Sequence, residues 1–129
     1  MPARDSRRLR DTTILLVEDT YLIACEIADA LRALGATVVG PASTLEAAMD
    51  FASNAALDGA VLDINMKGLL SFPVASMLAQ RRIPFMFVTG YPEIALPVAL
   101  RSVSRLMKPF EESELHDALV RQFSKTIDR

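Results

Sequence analysis

The stretch from residue 12 to residue 19 reads Thr-Thr-Ile-Leu-Leu-Val-Glu-Asp and places two acidic residues directly after a continuous apolar run. Two further apolar runs, residues 60–62 and 85–88, end at Asp63 and Thr89. A strand that is covered on both faces needs apolar residues at nearly every position. All three runs therefore predict central strands of a parallel sheet.

Two weaker runs, residues 37–39 and 103–107, predict the remaining strands. Between the five runs, apolar residues recur at the three- and four-residue spacing of amphipathic helices, and Gly35 is placed to end the first helix. The fourth helical segment, residues 91–102, contains two prolines. Because proline disrupts a helix interior, this segment predicts a short or irregular helix.

Five strands that alternate with five helices predict an α/β fold, a doubly wound parallel sheet with strand order 2-1-3-4-5. In this order the carboxyl ends of strands one, three, four and five meet at one edge, where such sheets bind ligands. The polar residues expected at this edge are Glu18, Asp19, Asp63, Thr89 and Lys108. Three crowded carboxylates need a cation, and oxygen ligands without nearby histidine or cysteine favour Mg²⁺ over Zn²⁺.

The length, composition and charge of the chain limit the number of domains, the possible partners and the expected location. With 129 residues and 51% hydrophobic residues, the chain predicts one domain, residues 12–129, preceded by a flexible polar arm at residues 1–11. A formal net charge of -2 disfavours a nucleic-acid partner. The longest apolar runs are too short for a membrane helix, and the single cysteine excludes an intrachain disulfide, so a cytoplasmic location is expected.

The edge residues resemble the receiver domain of two-component response regulators over about residues 12–123. The matching motifs are the pair Glu18-Asp19, Asp63 44 residues after Asp19, Thr89, and the pair Lys108-Pro109. The segment Phe-Val-Thr-Gly-Tyr at residues 87–91 is similar to the Phe-Ala-Thr-Gly signature of an alphaproteobacterial subgroup of single-domain receivers. This resemblance implies a flavodoxin-like fold.

The resemblance also implies a role for each edge residue. Asp63 is expected to accept a phosphoryl group from a sensor histidine kinase or a histidine phosphotransfer protein, because an aspartate nucleophile can form an acyl phosphate. Lys108 and the Thr89 hydroxyl are expected to bind phosphoryl oxygens. Such a protein catalyses its own phosphorylation and dephosphorylation, turns over no exogenous substrate, and signals to a downstream protein partner.

The expected Mg²⁺ ligands are Asp19, Asp63 and the backbone carbonyl of Asn65, with Glu18 acting through water. The resemblance further makes the peptide bond between Lys108 and Pro109 a candidate for the cis form.

The chain departs from the common receiver pattern in its switch residues. Arg105 stands three residues before Lys108, where most receivers carry an aromatic residue. Tyr91, two residues after Thr89, is the candidate replacement, so activation is expected to be read out through Thr89 and Tyr91. The segment between Thr89 and Lys108 is also a few residues short.

Two alternative functions remain open. The first is an interaction module that works without phosphorylation, because Arg105 and the short fourth segment uncouple the site from the partner surface. The second is a metal-dependent phosphatase of the haloacid-dehalogenase-like type. It is disfavoured because Asn65 stands where those enzymes carry a second aspartate.

Overall fold

The computed structural model describes residues 8–90 and 96–124. Its strands are Thr13–Val17 (β1), Thr37–Ala42 (β2), Gly59–Leu62 (β3), Asn65–Met66 (β4), Leu69–Leu70 (β5), Phe85–Thr89 (β6) and Arg105–Met107 (β7). Its α-helices are Tyr21–Ala33 (α1), Leu45–Asn54 (α2), Phe72–Gln80 (α3) and Glu112–Phe123 (α4).

Five of the strands form one parallel sheet in the order β2-β1-β3-β6-β7. This is the predicted order 2-1-3-4-5, because the additional strands β4 and β5 pair only with each other. One core lies between the sheet and helices α1 and α4, and the other between the sheet and helices α2 and α3. The predicted doubly wound α/β fold is confirmed.

Burial explains why the central strands are so apolar. All four residues of β3 are buried, as are the last four residues of β1 and of β6. Full burial of one large apolar side chain contributes roughly 1.5–3 kcal/mol, so the valine, leucine, isoleucine, methionine and phenylalanine residues among these positions contribute substantially to folding. The same strands carry the acidic residues to the edge of the sheet.

Gly35 ends α1 as predicted. Its φ of 96° is a left-handed conformation that glycine adopts without steric cost. The Gly35 N–H donates to the Arg32 carbonyl (2.9 Å) and the Ala36 N–H donates to the Leu31 carbonyl (3.0 Å), which is the Schellman pattern. The turn leads the chain directly into β2.

The expected N-terminal arm needs correction at residues 8–11. Leu9 is fully buried in the core against α1, and its N–H donates to the Leu34 carbonyl (2.8 Å). An isolated leucine in a polar segment gave no periodic signal, whereas the gain from burying it holds this short stretch against the domain. Residues 1–7 of the arm lie outside the described residues.

The fourth helical segment is irregular where it is described. Residues 98–100 form a single 3₁₀ turn after Pro97, and residues 91–95 lie outside the described part of the chain. Proline lacks the N–H that a continuing helix needs, which accounts for the short element. Among residues 8–90 and 96–124, no helix is long and apolar enough to cross a membrane.

A short hairpin that was not predicted from the sequence follows Asp63. Strands β4 and β5 pair antiparallel and are joined by Lys67 and Gly68, whose φ angles are 55° and 89°. Two consecutive positive φ angles are typical of the type I′ turn of two-residue hairpins. Leu69 and Leu70 are both exposed, so this hairpin lacks the alternation of apolar and polar residues that predicts a half-buried strand.

Candidate functional site

Three carboxylates meet at the carboxyl edge of the sheet. Glu18 and Asp19 follow β1, and Asp63 follows the adjacent strand β3. One oxygen of each of the three lies within 4.8 Å of the others. Glu18 and Asp63 are buried, with 2% and 6% of their surface exposed, whereas Asp19 is half-buried. The predicted acidic cluster is therefore present.

Lys108 joins two of these carboxylates from the end of β7. Its Nζ lies 3.1 Å from Asp63 Oδ2, to which it donates a hydrogen bond, and 3.0 Å from Glu18 Oε1. The contact with Glu18 is ionic without hydrogen-bond geometry, so this buried oxygen accepts no hydrogen bond from the described residues. The Lys108 N–H donates to the Thr89 carbonyl (2.9 Å), and the peptide bond to Pro109 is cis, as expected.

The charges of the cluster perturb one another. Burial raises the pKa of Glu18 above its usual value of 4.5, and the negative charge of Asp63 raises this pKa further. Lys108 and the Thr20 N–H, which donates to Glu18 Oε2 (3.1 Å), oppose the rise. Burial by itself would lower the pKa of Lys108, but the contacts with Glu18 and Asp63 outweigh it and raise that pKa above 10.5.

Backbone contacts hold Asp63 in one orientation. Its own N–H donates to the Val17 carbonyl (2.8 Å), and its carbonyl accepts a hydrogen bond from the buried Ser71 hydroxyl (2.7 Å). The Asn65 N–H donates to Asp63 Oδ1 (3.3 Å). With Lys108 on Oδ2, both carboxylate oxygens are held, so the group enters a reaction already oriented.

Asp63 and Lys108 open onto a cavity of about 470 Å³. The cavity is lined by Asp19, Thr20, Asp63, Asn65, Lys67, Gly68, Thr89, Gly90 and Lys108. Five predicted site residues thus line one cleft: Asp19, Asp63, Asn65, Thr89 and Lys108. Glu18 is not among the lining residues and reaches the cleft through its contact with Lys108. Tyr91, the predicted switch residue, lies outside the described residues.

Sequence reasoning did not include Lys67 and Gly68 in the site. The hairpin turn brings both of them to the cavity. The available signal was a lysine followed by glycine four residues after Asp63, a pair that suits a turn with positive φ angles.

The cluster fits a Mg²⁺ site. Its donors are carboxylate oxygens, which a small hard cation prefers. Glu18 Oε1 is buried without a hydrogen bond from the described residues, and Lys108 supplies one positive charge against three carboxylates. A divalent cation would balance this excess of negative charge.

Comparison with known proteins agrees with this arrangement. Residues 14–120 match the response regulator receiver domain. The chain belongs to this family. That membership favours the receiver prediction over the phosphatase alternative. The matched residues include both edge strands of the sheet and all three residues of the acidic cluster.

This receiver is similar to several characterised proteins. It is 29% identical to the transcriptional regulatory protein PdtaR of Mycobacterium tuberculosis over 92% of its own length, and 36% identical to the phyllosphere-induced regulator PhyR of Methylorubrum extorquens over 64%. It spans 60% of the length of PdtaR and 32% of the length of PhyR.

Solved structures show the same similarity. The solution structure of SdrG from Sphingomonas melonis Fr1 is 39% identical and superimposes with a TM-score of 0.73, covering 84% of this receiver and 92% of SdrG. SdrG and PhyR place this receiver near the alphaproteobacterial subgroup that its Phe-Val-Thr-Gly segment resembles.

Proposed function

We propose that this receiver accepts a phosphoryl group on Asp63 from a histidine kinase or a histidine phosphotransfer protein, and signals by protein contacts. The observation that carries the proposal is the orientation of Asp63, a buried carboxylate held by Lys108 and the Asn65 N–H at the floor of an open cavity. A pre-oriented nucleophile and fixed charges are what phosphoryl transfer requires.

The proposed step balances without an additional reactant. A carboxylate oxygen of Asp63 attacks the phosphorus atom of a phosphohistidine, the nitrogen–phosphorus bond breaks, and an acyl phosphate forms as the imidazole leaves with its electron pair. Lys108, already 3.1 Å from Asp63 Oδ2, neutralises charge on the phosphoryl oxygens. Loss of the phosphoryl group to water, which the receiver itself would promote, resets the site without turnover of any exogenous substrate.

Mg²⁺ would be held by Asp19, Asp63 and the Asn65 carbonyl, with Glu18 close behind. When bound, it supplies positive charge that stabilises the transferring phosphoryl group. The buried Thr89 lines the same cavity and is proposed to donate its hydroxyl to a phosphoryl oxygen. With Tyr91, it is the proposed start of the activating change.

The direct test is incubation with a panel of histidine kinases and labelled ATP, followed by mapping of the label. We expect label on Asp63 from at least one kinase. A structure of SdrG in a BeF3-activated conformation, 38% identical to this receiver, suggests beryllofluoride as the stable phosphoryl mimic. Stoichiometric phosphorylation without any change in partner affinity would instead favour the phosphorylation-independent module.

Magnesium binding gives a prediction for the resting protein. Titration with Mg²⁺ should shift the backbone amide NMR signals at the carboxyl ends of β1 and β3. The apparent affinity should fall as the pH decreases through the pKa of Glu18, which lies above 4.5, because protonation removes one negative charge from the cluster. Asp19→Asn should weaken binding about tenfold or more, as expected for loss of a charged ligand.

Asp29→Asn is the matched control for this titration, since Asp29 is an exposed acid on α1 outside the cavity. Its Mg²⁺ affinity should equal that of the wild type. Absence of any response at β1 and β3 would show that the ion binds elsewhere.

Exposed apolar side chains next to the cavity give a prediction for the protein donor. Leu22 is 76% exposed in the first turn of α1, and Leu69 is 61% exposed directly after Gly68. Exposed apolar residues grouped around a site are typical of protein contacts. The double change Leu22→Ser and Leu69→Ser should slow transfer from a protein donor about tenfold, the scale of an interface anchor.

Transfer from acetyl phosphate should not change in that variant, because a small donor makes no contact with the two leucines. Val98→Ser is the control, since Val98 is 78% exposed on the 3₁₀ turn and does not line the cavity. Equal loss with both donors would mean that the substitutions damage the site itself.

A further inference from the structure

The described residues contain two lysines, Lys67 and Lys108, and both line the cavity above Asp63. Lys108 is already engaged with Glu18 and Asp63. Lys67 is exposed and forms no ion pair within the described part of the chain. The site therefore has a second cation that the resting protein does not use.

The hairpin fixes the backbone of Lys67 close to Asp63. The Asn65 side chain accepts a hydrogen bond from the Gly68 N–H (2.8 Å), and Met66 between them is buried. At the other end of the hairpin, the Ser71 hydroxyl donates to the Asp63 carbonyl (2.7 Å). The Asn65 N–H also donates to Asp63 Oδ1 (3.3 Å), so both ends of the hairpin that carries Lys67 are hydrogen-bonded to Asp63.

The charge at the site explains why a second cation matters. Lys108 and a bound Mg²⁺ would only balance the charges of Glu18, Asp19 and Asp63, so neither cation offsets the negative charge that an incoming phosphoryl donor brings. A lysine on a flexible four-carbon stem at the rim can reach an anion that enters the cavity. Among the described residues that line the cavity, Lys67 is the cation available for this contact.

We infer that Lys67 binds the phosphoryl group that Asp63 accepts, as a second cation beside Lys108. The inference rests on the proposed function and adds a phosphoryl-binding residue to it. Lys67 attracts the anionic donor into the cavity and then contacts a phosphoryl oxygen. It does not hold the carboxylates in place, because no contact with them is made in the resting protein.

Lys67→Asn tests the inference without disturbing the turn. Asparagine followed by glycine is the most favourable pair for a type I′ hairpin, so the substitution removes the charge and keeps the backbone. With acetyl phosphate as donor, the concentration that gives half-maximal phosphorylation of Asp63 should rise about fivefold, as expected for one exposed ion pair. Lys67→Arg should restore it to within about twofold, since the charge is retained.

Arg82→Asn is the matched control. Arg82 is exposed and has a φ of 60°, but it precedes β6 at the opposite edge of the sheet. This variant should behave as the wild type. Mg²⁺ affinity is measured alongside, and in Lys67→Asn it should stay equal or increase, because the lost charge repels a cation.

The possible results distinguish the role of Lys67 from the proposed phosphorylation of Asp63. Lys67→Asn phosphorylated at wild-type donor concentrations would overturn the role of Lys67 and leave the proposed function standing. Parallel losses of phosphorylation and Mg²⁺ affinity would also overturn it, because they indicate a structural role. If the wild type itself gains no phosphoryl group on Asp63, the proposed function fails first.

Discussion

Replacement of Asp63 by asparagine should abolish phosphoryl transfer and stabilise the metal-free fold. Asparagine keeps the shape of the side chain but offers no carboxylate to attack phosphorus. It also removes one of three clustered negative charges and leaves Glu18 to pair with Lys108. The free energy of unfolding should increase by about 1 kcal/mol, the scale of one relieved repulsion between neighbouring carboxylates.

Intact-mass measurement after exposure to acetyl phosphate or a kinase tests the loss of phosphoryl transfer. Urea unfolding with a chelator at pH 7 tests the gain in stability. Asp29→Asn, which removes an exposed charge on α1, should leave both results unchanged. A phosphorylated Asp63→Asn protein would place the acceptor at another residue.

Asp63→Asn should also change how the free energy of unfolding depends on pH. The pKa of Glu18 is higher in the folded protein than its usual value, so the folded state binds this proton more tightly than the unfolded state. The contribution of Glu18 is therefore greatest at low pH and is lost as the pH rises from 4.5 through the raised pKa. Because Asp63 contributes to the rise, Asp63→Asn should lower the pKa of Glu18 and reduce this loss.

The sheet was predictable because burial on both faces leaves a strong mark on the sequence. Residues 14–17, 60–62 and 85–88 have no polar side chain, and apolar runs of this short length are typical of strands that are buried on both faces. Strand order then follows from right-handed crossovers, and the order brings Asp19, Asp63 and Lys108 together without any knowledge of side-chain positions.

Local features that depend on single contacts were not predictable. The hairpin at residues 65–70 has exposed leucines and only two residues in each strand, so neither periodicity nor length announces it. Leu9 joins the core through one buried side chain and one backbone hydrogen bond to Leu34. In both cases tertiary contacts decide the conformation, and local sequence pattern carries little information about them.

The sequence also did not predict that Lys108 contacts two acidic residues at once. The sequence placed Lys108 at the right edge and implied a phosphoryl oxygen as its partner, but its resting partners are Glu18 Oε1 and Asp63 Oδ2. A lysine in the resting site is drawn to whatever negative charge is present. In the proposed function, this resting arrangement would already hold the cation beside the carboxylate that accepts the phosphoryl group.

That arrangement predicts a large loss of stability in Lys108→Met. The lysine side chain is 19% exposed, and those of Glu18 and Asp63 are 1% and 7% exposed. Removing one member of a buried ionic group leaves uncompensated charge, at a cost of about 3 kcal/mol, near the lower end for such pairs because Lys108 keeps some contact with water. Methionine preserves most of the volume, so the change reports mainly on charge.

The double variant Glu18→Gln with Lys108→Met identifies the cause. Lys108→Met leaves Glu18 and Asp63 without a cation, whereas the double change also removes the charge of Glu18 and leaves only Asp63 unpaired. The double variant should therefore recover about half of the stability lost in Lys108→Met. Urea unfolding in chelator at pH 7 measures the stability of four proteins: the wild type, Glu18→Gln, Lys108→Met and the double variant. Arg121→Met, an exposed basic residue of α4, should change stability by no more than about 0.5 kcal/mol.

An alkaline titration separates charge from packing in this prediction. The pKa of Lys108 is raised in the folded protein, so its stabilising contribution is complete below the unfolded value of 10.5 and is lost as the pH rises through the folded value. Lys108→Met lacks this group, so the stability difference between wild type and variant should narrow above pH 10.5. A difference that stays constant over that range, together with additive effects in the double variant, would assign the loss to packing around the side chain and not to its charge.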